Sequence, residues 1–268
     1  MLNIQNTEFK SKSEIRALAS SVFTTKGAQN TSEKYAHIST EKVIDDMELL
    51  GWGVVDAKQV RSRKPATNGF QKHLVVFRNN DIQIKSENGD VVSPQILLTN
   101  SHDGKNSFTF IAGLFRMICE NGLVVSTSEF ENMKIRHYGY SFEELQETIK
   151  SMVEKLPLTV DSLNKFRSVE LSQEQAIEFA KKSITTRFTD EEIDKIQFDF
   201  EALLTPTRSE DRGNDLWSIY NVVQEKIIHG MFDYTVGSKY RKARRIQNFQ
   251  QDLKINRALH ELACVYAQ

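Results

Sequence analysis

Apolar residues in the early chain recur at helical spacing. In "SKSEIRALASSVFTT" (11–25) Ile15, Leu18, Ala19 and Val22 share a face, and in "ISTEKVIDDMELLGWGV" Val43, Ile44, Met47 and Leu50 do the same. The spacing predicts two amphipathic helices, the second opened by Ser39 or Thr40 as N-cap and closed at Gly51. From Trp52 the period drops to that of a pleated strand. "GVVDAKQVRSR" and "FQKHLVVFRN" read as strands around a polar connection holding Pro65, Asn68 and Gly69. "DIQIKSENGDVVSPQILLTNS" adds further strands, with "ENGD" as an Asn-Gly hairpin turn, so an antiparallel meander is the economical arrangement. "NSHDGKNS" then turns the chain into "SFTFIAGLFRMICENG", which is predicted as a helix. Phe108, Ile111, Leu114, Phe115 and Ile118 would form its apolar faces, Asn106 or Ser107 its N-cap, and Gly122 its C-terminal stop.

Helical patterns dominate beyond "LVVSTSEFENMKIRHYG". "SFEELQETIKSMVEKL", "TVDSLNKFRSV", "SQEQAIEFAKKSITTRF" and "TDEEIDKIQFDFEALL" fill 141–202, several opening on Ser or Thr with an acid or Gln three places on. After the loop "LTPTRSEDRGNDLW", helices resume with "LWSIYNVVQEKIIHGMF" and end with "KINRALHELACVYA". The predicted fold class is α+β, an N-terminal antiparallel β-sheet with packed helices followed by an all-helical C-terminal half. The expected organisation is a helical segment over 1–30, an α+β core over 31–138 and a helical domain over 139–268. With no Pro- or Gly-rich tether between them, the halves are expected to pack together.

Composition narrows the class without naming a function. The chain has 268 residues, 39% hydrophobic and 26% charged, the balance of an ordinary globular protein. A formal net charge of −1 confines any nucleic-acid role to local patches. Cys119 and Cys264 lack metal-ligand spacing and point to reduced, packed thiols in a reducing compartment. The N-terminus has no signal-peptide core, and no stretch reaches the roughly 20 apolar residues of a membrane helix. A soluble cytoplasmic protein with no membrane partner is expected.

Two basic stretches are the candidate chemistry. Lys58, Arg61, Arg63, Lys64, Lys72 and Arg78 fall within 57–80, a span with no acid, and Arg61 and Arg63 would share one strand face. In "GSKYRKARRIQNF", Lys239, Arg241, Lys242, Arg244 and Arg245 crowd around Tyr240, with Tyr234 and Phe249 nearby. Cations displace counterions from a phosphate backbone, and aromatic rings among them can stack on unpaired bases. Against this stands the solvated edge or helix face that charge runs commonly form.

Carboxylates and histidines offer less. His102 and Asp103 in the turn suit backbone geometry better than a base with its orienting acid. Glu210, Asp211 and Asp215 in "SEDRGND" are possible Mg²⁺ ligands, although a loop that caps the next helix uses the same residues. No HExxH, CxxC, G-x-S-x-G, P-loop or Rossmann fingerprint is present, so no cofactor is expected.

"YAHISTEKVIDDMELLGW", "LTNSHDGKNSFTFIAGLFRMICENGLVV", "EDRGNDLWSIYNVVQEKIIHG" and "LKINRALHELA" resemble a family found mainly in bacteriophages and plasmids, domain of unknown function 932. The resemblance covers roughly 35–265 and implies a mobile-element setting in a bacterial host cell. A helix ending in "GW", a basic antiparallel sheet and a crossing helix are also similar to the core of Rad-fifty-two-type annealing proteins. That likeness implies ring-like homo-oligomers and places Arg61, Arg63, Lys64 and Lys72 along a single-stranded DNA path. The leading expectation is thus a non-enzymatic protein that binds single-stranded DNA, promoting annealing in recombination. The alternatives are an interaction protein whose acidic helical half engages a host or phage protein, for counter-defence or takeover, and a metal-dependent nuclease acting through "SEDRGND".

Overall fold

The Ser11 side chain accepts from the Glu14 amide while Glu14 accepts from the Ser11 amide, a reciprocal cap that opens α1 (Lys12–Leu18). The helix is shorter than its apolar pattern, because the chain tightens into a 3₁₀ turn at Ser20–Phe23. The computed structural model describes residues 8–29, 31, 35–62, 68–82, 84–85, 91–106, 108–116, 121–124 and 141–268. These fall into two compact units, Met1–Leu156 and Pro157–Gln268.

In the first unit Ser39 caps α2 (Thr40–Leu49), as the sequence predicts. The strands are β1 (Gly53–Gln59), β2 (His73–Arg78), β3 (Ile84–Lys85), β4 (Val91–Asn100), β5 (Thr109–Arg116) and β6 (Asn121–Val124). They form one antiparallel sheet in the order β1-β2-β4-β5-β6, with β3 pairing with β4. Every residue of β2 is buried, as its unbroken apolar centre "LVVF" requires of an interior strand. Val75 and Phe77, Ile96 and Leu98, and Phe108 and Phe110 alternate into one core with Ile15, Ile44, Met47, Trp52, Leu145 and Met152. The "ENGD" turn lies outside the described residues.

The helix expected over 107–122 is a strand instead. β5 pairs with β4 from Thr99↔Thr109 to Val92↔Arg116, and Gly122 sits in β6 opposite Phe115 rather than ending a helix. "FTFIAGLF" is apolar at nearly every place, so it fits either period. A neighbouring strand with unsatisfied backbone groups decides between them.

In the second unit, the expectation of an all-helical half is also corrected. Helix α3 (Phe142–Ser168) runs continuously through Pro157, where the boundary between the units falls. α4 (Gln173–Ile184), α7 (Leu216–His229) and α8 (Phe249–Tyr266) follow the apolar pattern. "TDEEIDKIQFDFEALL" breaks into α5 (Asp190–Ile193), β7 (Ile196–Phe198) and α6 (Phe200–Leu204). Thr189 and Glu192 form the expected capping box, yet α5 lasts one turn because "IQF" finds a partner. That partner is β8 (Asp233–Val236), which pairs in turn with β9 (Lys239–Lys242) in a three-stranded antiparallel sheet. Gly237, at φ +59°, provides the left-handed turn residue of the β8–β9 hairpin.

α7 is the axis of this unit. Every residue from Leu216 to Ile228 is buried, the pattern of a helix covered all round. Three of its buried polar side chains are anchored by hydrogen bonds. Asn221 donates to the Trp217 carbonyl at 2.7 Å, Gln224 to Asn256 Oδ1 at 2.5 Å, and Lys226 to the Ala202 carbonyl.

Candidate nucleic-acid interface

The first basic stretch does not form the expected ribbon. β1 ends at Gln59, so Arg61 stands exposed beyond the strand rather than on its face. Lys58 is exposed but lies 3.3 Å from the Asp56 carboxylate. Arg63 and Lys64 lie outside the described residues. Lys72 is half-buried, and burial pulls its ammonium below the ordinary lysine range. Arg78 belongs to the interior, only 5% exposed in β2, and burial lowers its guanidinium to about 10. Arginine tolerates such a place because its long apolar stem packs while its head finds polar partners.

The second stretch forms one exposed surface. All four residues of β9 are exposed, with Tyr240 at 63%. Register sorts them by face. Tyr240 lies opposite Thr235 and Lys242 opposite Asp233, while Lys239 and Arg241 lie opposite Val236 and Tyr234. The Tyr240 hydroxyl donates to the Asp233 carboxylate, which fixes the ring across the hairpin and raises its pKa. Asp233 is the one acid among the five cations of 233–245. As β9 is an edge strand, its outer backbone and its side chains face solvent.

Arg244 and Arg245 follow, both exposed, on a segment strapped to the end of α7. The Ile246 amide donates to the Ile228 carbonyl at 2.8 Å, and the Ala243 amide to Phe232 at 3.0 Å. Sequence reasoning missed Arg187, whose guanidinium donates to the Ile227 carbonyl and, at 2.5 Å, to the Arg244 carbonyl. It also missed His229, whose imidazole is pulled below its ordinary value by burial and by the neighbouring Arg245. Neither carries a sequence signal, since both act through backbone or charges distant along the chain.

The turn "NSHDGKNS" is structural. Asn100, Ser101 and His102 are fully buried, and Asp103 accepts from Ser101 Oγ at 2.7 Å and from the Lys105 amide at 3.1 Å. The His102 backbone bonds both Phe70 and Ala28, tying three segments together. The His102 ring sits 4.7 Å from that of His37 and 5.2 Å from that of His73. His73 is fully buried between the Gln71 carbonyl, 3.1 Å from Nδ1, and Thr40 Oγ1, 2.9 Å from Nε2. Asn100 Nδ2 donates to the same Thr40 hydroxyl at 3.0 Å. These partners fit a neutral ring that donates through Nδ1, and burial lowers its pKa from 6.5 to about 4. The unfolded chain therefore takes up a proton that the folded one refuses. Stability falls as pH drops from 6.5 towards 4, by roughly 1–2 kcal/mol near pH 5. Urea melts of His73→Gln, set beside the wild type across that range, should show a flatter pH dependence; parallel curves would exclude His73 as the source.

"SEDRGND" likewise serves the fold. Asp215 caps α7, accepting from the Ser218 amide at 3.0 Å. Asp211 is buried and lies 4.0 Å from Arg208, whose guanidinium also meets Glu225 at 2.6 Å. Burial pushes the Glu225 carboxyl up, but the bonds from Arg208 and Thr207 outweigh it and hold the pKa below the ordinary range. Glu210 is in the 3₁₀ turn Ser209–Asp211, and its side-chain surroundings are outside the description. Among the described residues no three His, Cys, Asp or Glu side chains are placed to hold a metal ion. Cys264 is half-buried in α8 rather than fully packed, and Cys119 lies outside the described residues. No helix of the described residues is long and apolar enough to cross a membrane.

Comparison with known proteins agrees with the motif blocks. The chain is 29% identical to the UPF0380 protein YafZ of Escherichia coli (strain K12) over 94% of its own length and 89% of the relative's. It is 28% identical to the UPF0380 protein YfjQ of the same strain over the same shares. No solved structure matches. The Rad-fifty-two-type likeness finds no support, and the helix it needed across the sheet is strand β5. The family model described as Domain of unknown function (DUF932) matches residues 29–260, and the chain belongs to that family.

Proposed function

We propose that this protein binds single-stranded nucleic acid through the β8–β9 hairpin and the basic run that follows it. One observation carries the reading: Lys239, Arg241, Lys242, Arg244 and Arg245 are all exposed around an exposed Tyr240, with Asp233 the one acid among them. Exposed cations on an edge strand match a flexible polyanion, and a fixed aromatic ring offers a platform for an unpaired base. Strand annealing is not included, because the likeness that implied it has no support.

Fluorescence anisotropy of labelled oligo-dT, at low and at physiological salt and beside a duplex, tests this. The wild type should bind the single strand more tightly and weaken steeply as salt rises. Replacing Lys239, Arg241 and Lys242 by Gln should flatten the dependence of log affinity on log salt by about 2, at roughly 0.7 per phosphate contact. The residues are exposed, so thermal melts of the variant should match the wild type. An unchanged salt slope in that variant, or no wild-type binding at low salt, would rule out the hairpin as the site.

A further inference from the structure

On the opposite edge of the same small sheet lies a groove of about 560 Å³ that the basic hairpin does not explain. Its walls are Ile184, Ile193, Ile196, Phe198 and Phe200, and Lys181 and Lys182 stand on its rim. Phe198 and Phe200 are half-buried, with ring centroids 5.7 Å apart and planes inclined at 45°. The Lys181 ammonium sits 5.6 Å from the Phe200 centroid, while Lys182 pairs with Glu178 at 2.7 Å. An apolar slot with aromatic walls and a cationic rim is complementary to a flat ring attached to a negative group.

Register connects the slot to the cationic edge. Phe198 pairs with Tyr234, and Tyr234 with Arg241, so these three side chains form one row on the sheet face that walls the groove. Phe198 walls the groove with its ring centroid 6.1 Å from that of Tyr234, and Arg241 at the far end of the row is exposed. At about 4.8 Å between strands the row spans about 10 Å, the length of about three stacked nucleotides. From this juxtaposition we infer that the β7 groove takes an unstacked base of the strand whose backbone β9 holds, with Lys181 against the adjoining phosphate. The inference rests on the hairpin reading and adds a base-binding subsite to it. A preference for single strands follows, because a paired base must first be unpaired and unstacked to enter.

The test compares labelled oligo-dT with an abasic oligonucleotide of equal length and charge, on the full-length wild type and on Phe200→Leu. Leucine keeps the slot apolar while removing the π face. The wild type should prefer oligo-dT by about tenfold, the scale of one base stacked on an aromatic ring. Phe200→Leu should lose most of that preference, keeping only what the Tyr240 ring adds, and retain its affinity for the abasic strand. Ultraviolet crosslinking of bound oligo-dT should then label the peptide containing Phe198 and Phe200. Equal wild-type binding of both strands, still salt-sensitive, overturns the groove and the Tyr240 platform and leaves only the cations of the hairpin standing. A preference undiminished in Phe200→Leu, with crosslinks elsewhere, also overturns it and moves base contact to another ring. Binding of neither strand removes both readings.

Discussion

Gly230→Ala should cost the C-terminal unit about 3 kcal/mol, on two physical grounds that add. Gly230 closes α7 in the left-handed region at φ +69°, where an alanine pays about 1 kcal/mol or more. An added Cβ would also stand 2.4 Å from the Arg244 carbonyl carbon and 2.7 Å from its nitrogen and oxygen. Backbone cannot rotate aside as a flexible side chain can. Arg244 is moreover held by Arg187, and its neighbours bond Phe232 and Ile228. Relief therefore requires pulling the 243–246 segment off α7, which also displaces the cations that follow β9. Gly237→Ala is the control, since Gly237 has a similar φ of +59° but nothing within 4 Å of an added Cβ. It should cost about 1 kcal/mol, the conformational part alone. Thermal or urea melts of both variants decide the matter, and equal losses would mean that the close approach of Arg244 contributes nothing.

The elements that were legible in the sequence are those whose local signals agree with their surroundings. α2 begins at Ser39 because a hydroxyl cap precedes an apolar stripe, and it stops short of Gly51 because the backbone there turns left-handed, at φ +83°. Capping boxes at Ser172 and Thr189 formed as written, but a cap fixes where a helix starts and not how far it runs. After Thr189 the helix yields within one turn to β7, because Ile196, Gln197 and Phe198 gain partners 36 to 40 residues along the chain in β8. The same competition hid β5. For the candidate site, charge density could be read, but exposure could not. Arg78 and Lys239 look alike in sequence, yet one lies inside β2 and the other on an open edge. The β7 groove was invisible for a related reason. Its residues fall in a stretch with a helical pattern, and the row through Phe198, Tyr234 and Arg241 exists only once three separated strands are in register.

The strand identity of 109–116 makes a prediction that a helix reverses. On a helix over 107–122 the apolar stripe runs through Phe108, Ile111, Leu114, Phe115 and Ile118, and Phe110 lies off it. From the residue before β5 onward the inward positions alternate, so Phe108 and Phe110 face the core at 0% and 1% exposure while Ile111 is only half-buried. Phe110 stands opposite Leu98 and packs edge-on against Phe108, with ring centroids 5.3 Å apart. Truncating it leaves a cavity bounded by rigid strands, which can collapse only by breaking ladder bonds. Phe110→Ala should therefore cost about 3–5 kcal/mol, a large share of the stability of a domain this size. Ile111→Ala, removing a side chain that already meets solvent, should cost about 1–2 kcal/mol. Urea denaturation of the two variants under identical conditions reads the order directly. A larger loss at Ile111 than at Phe110 would restore the helix and remove the β4–β5 pairing, and with it the centre of the sheet.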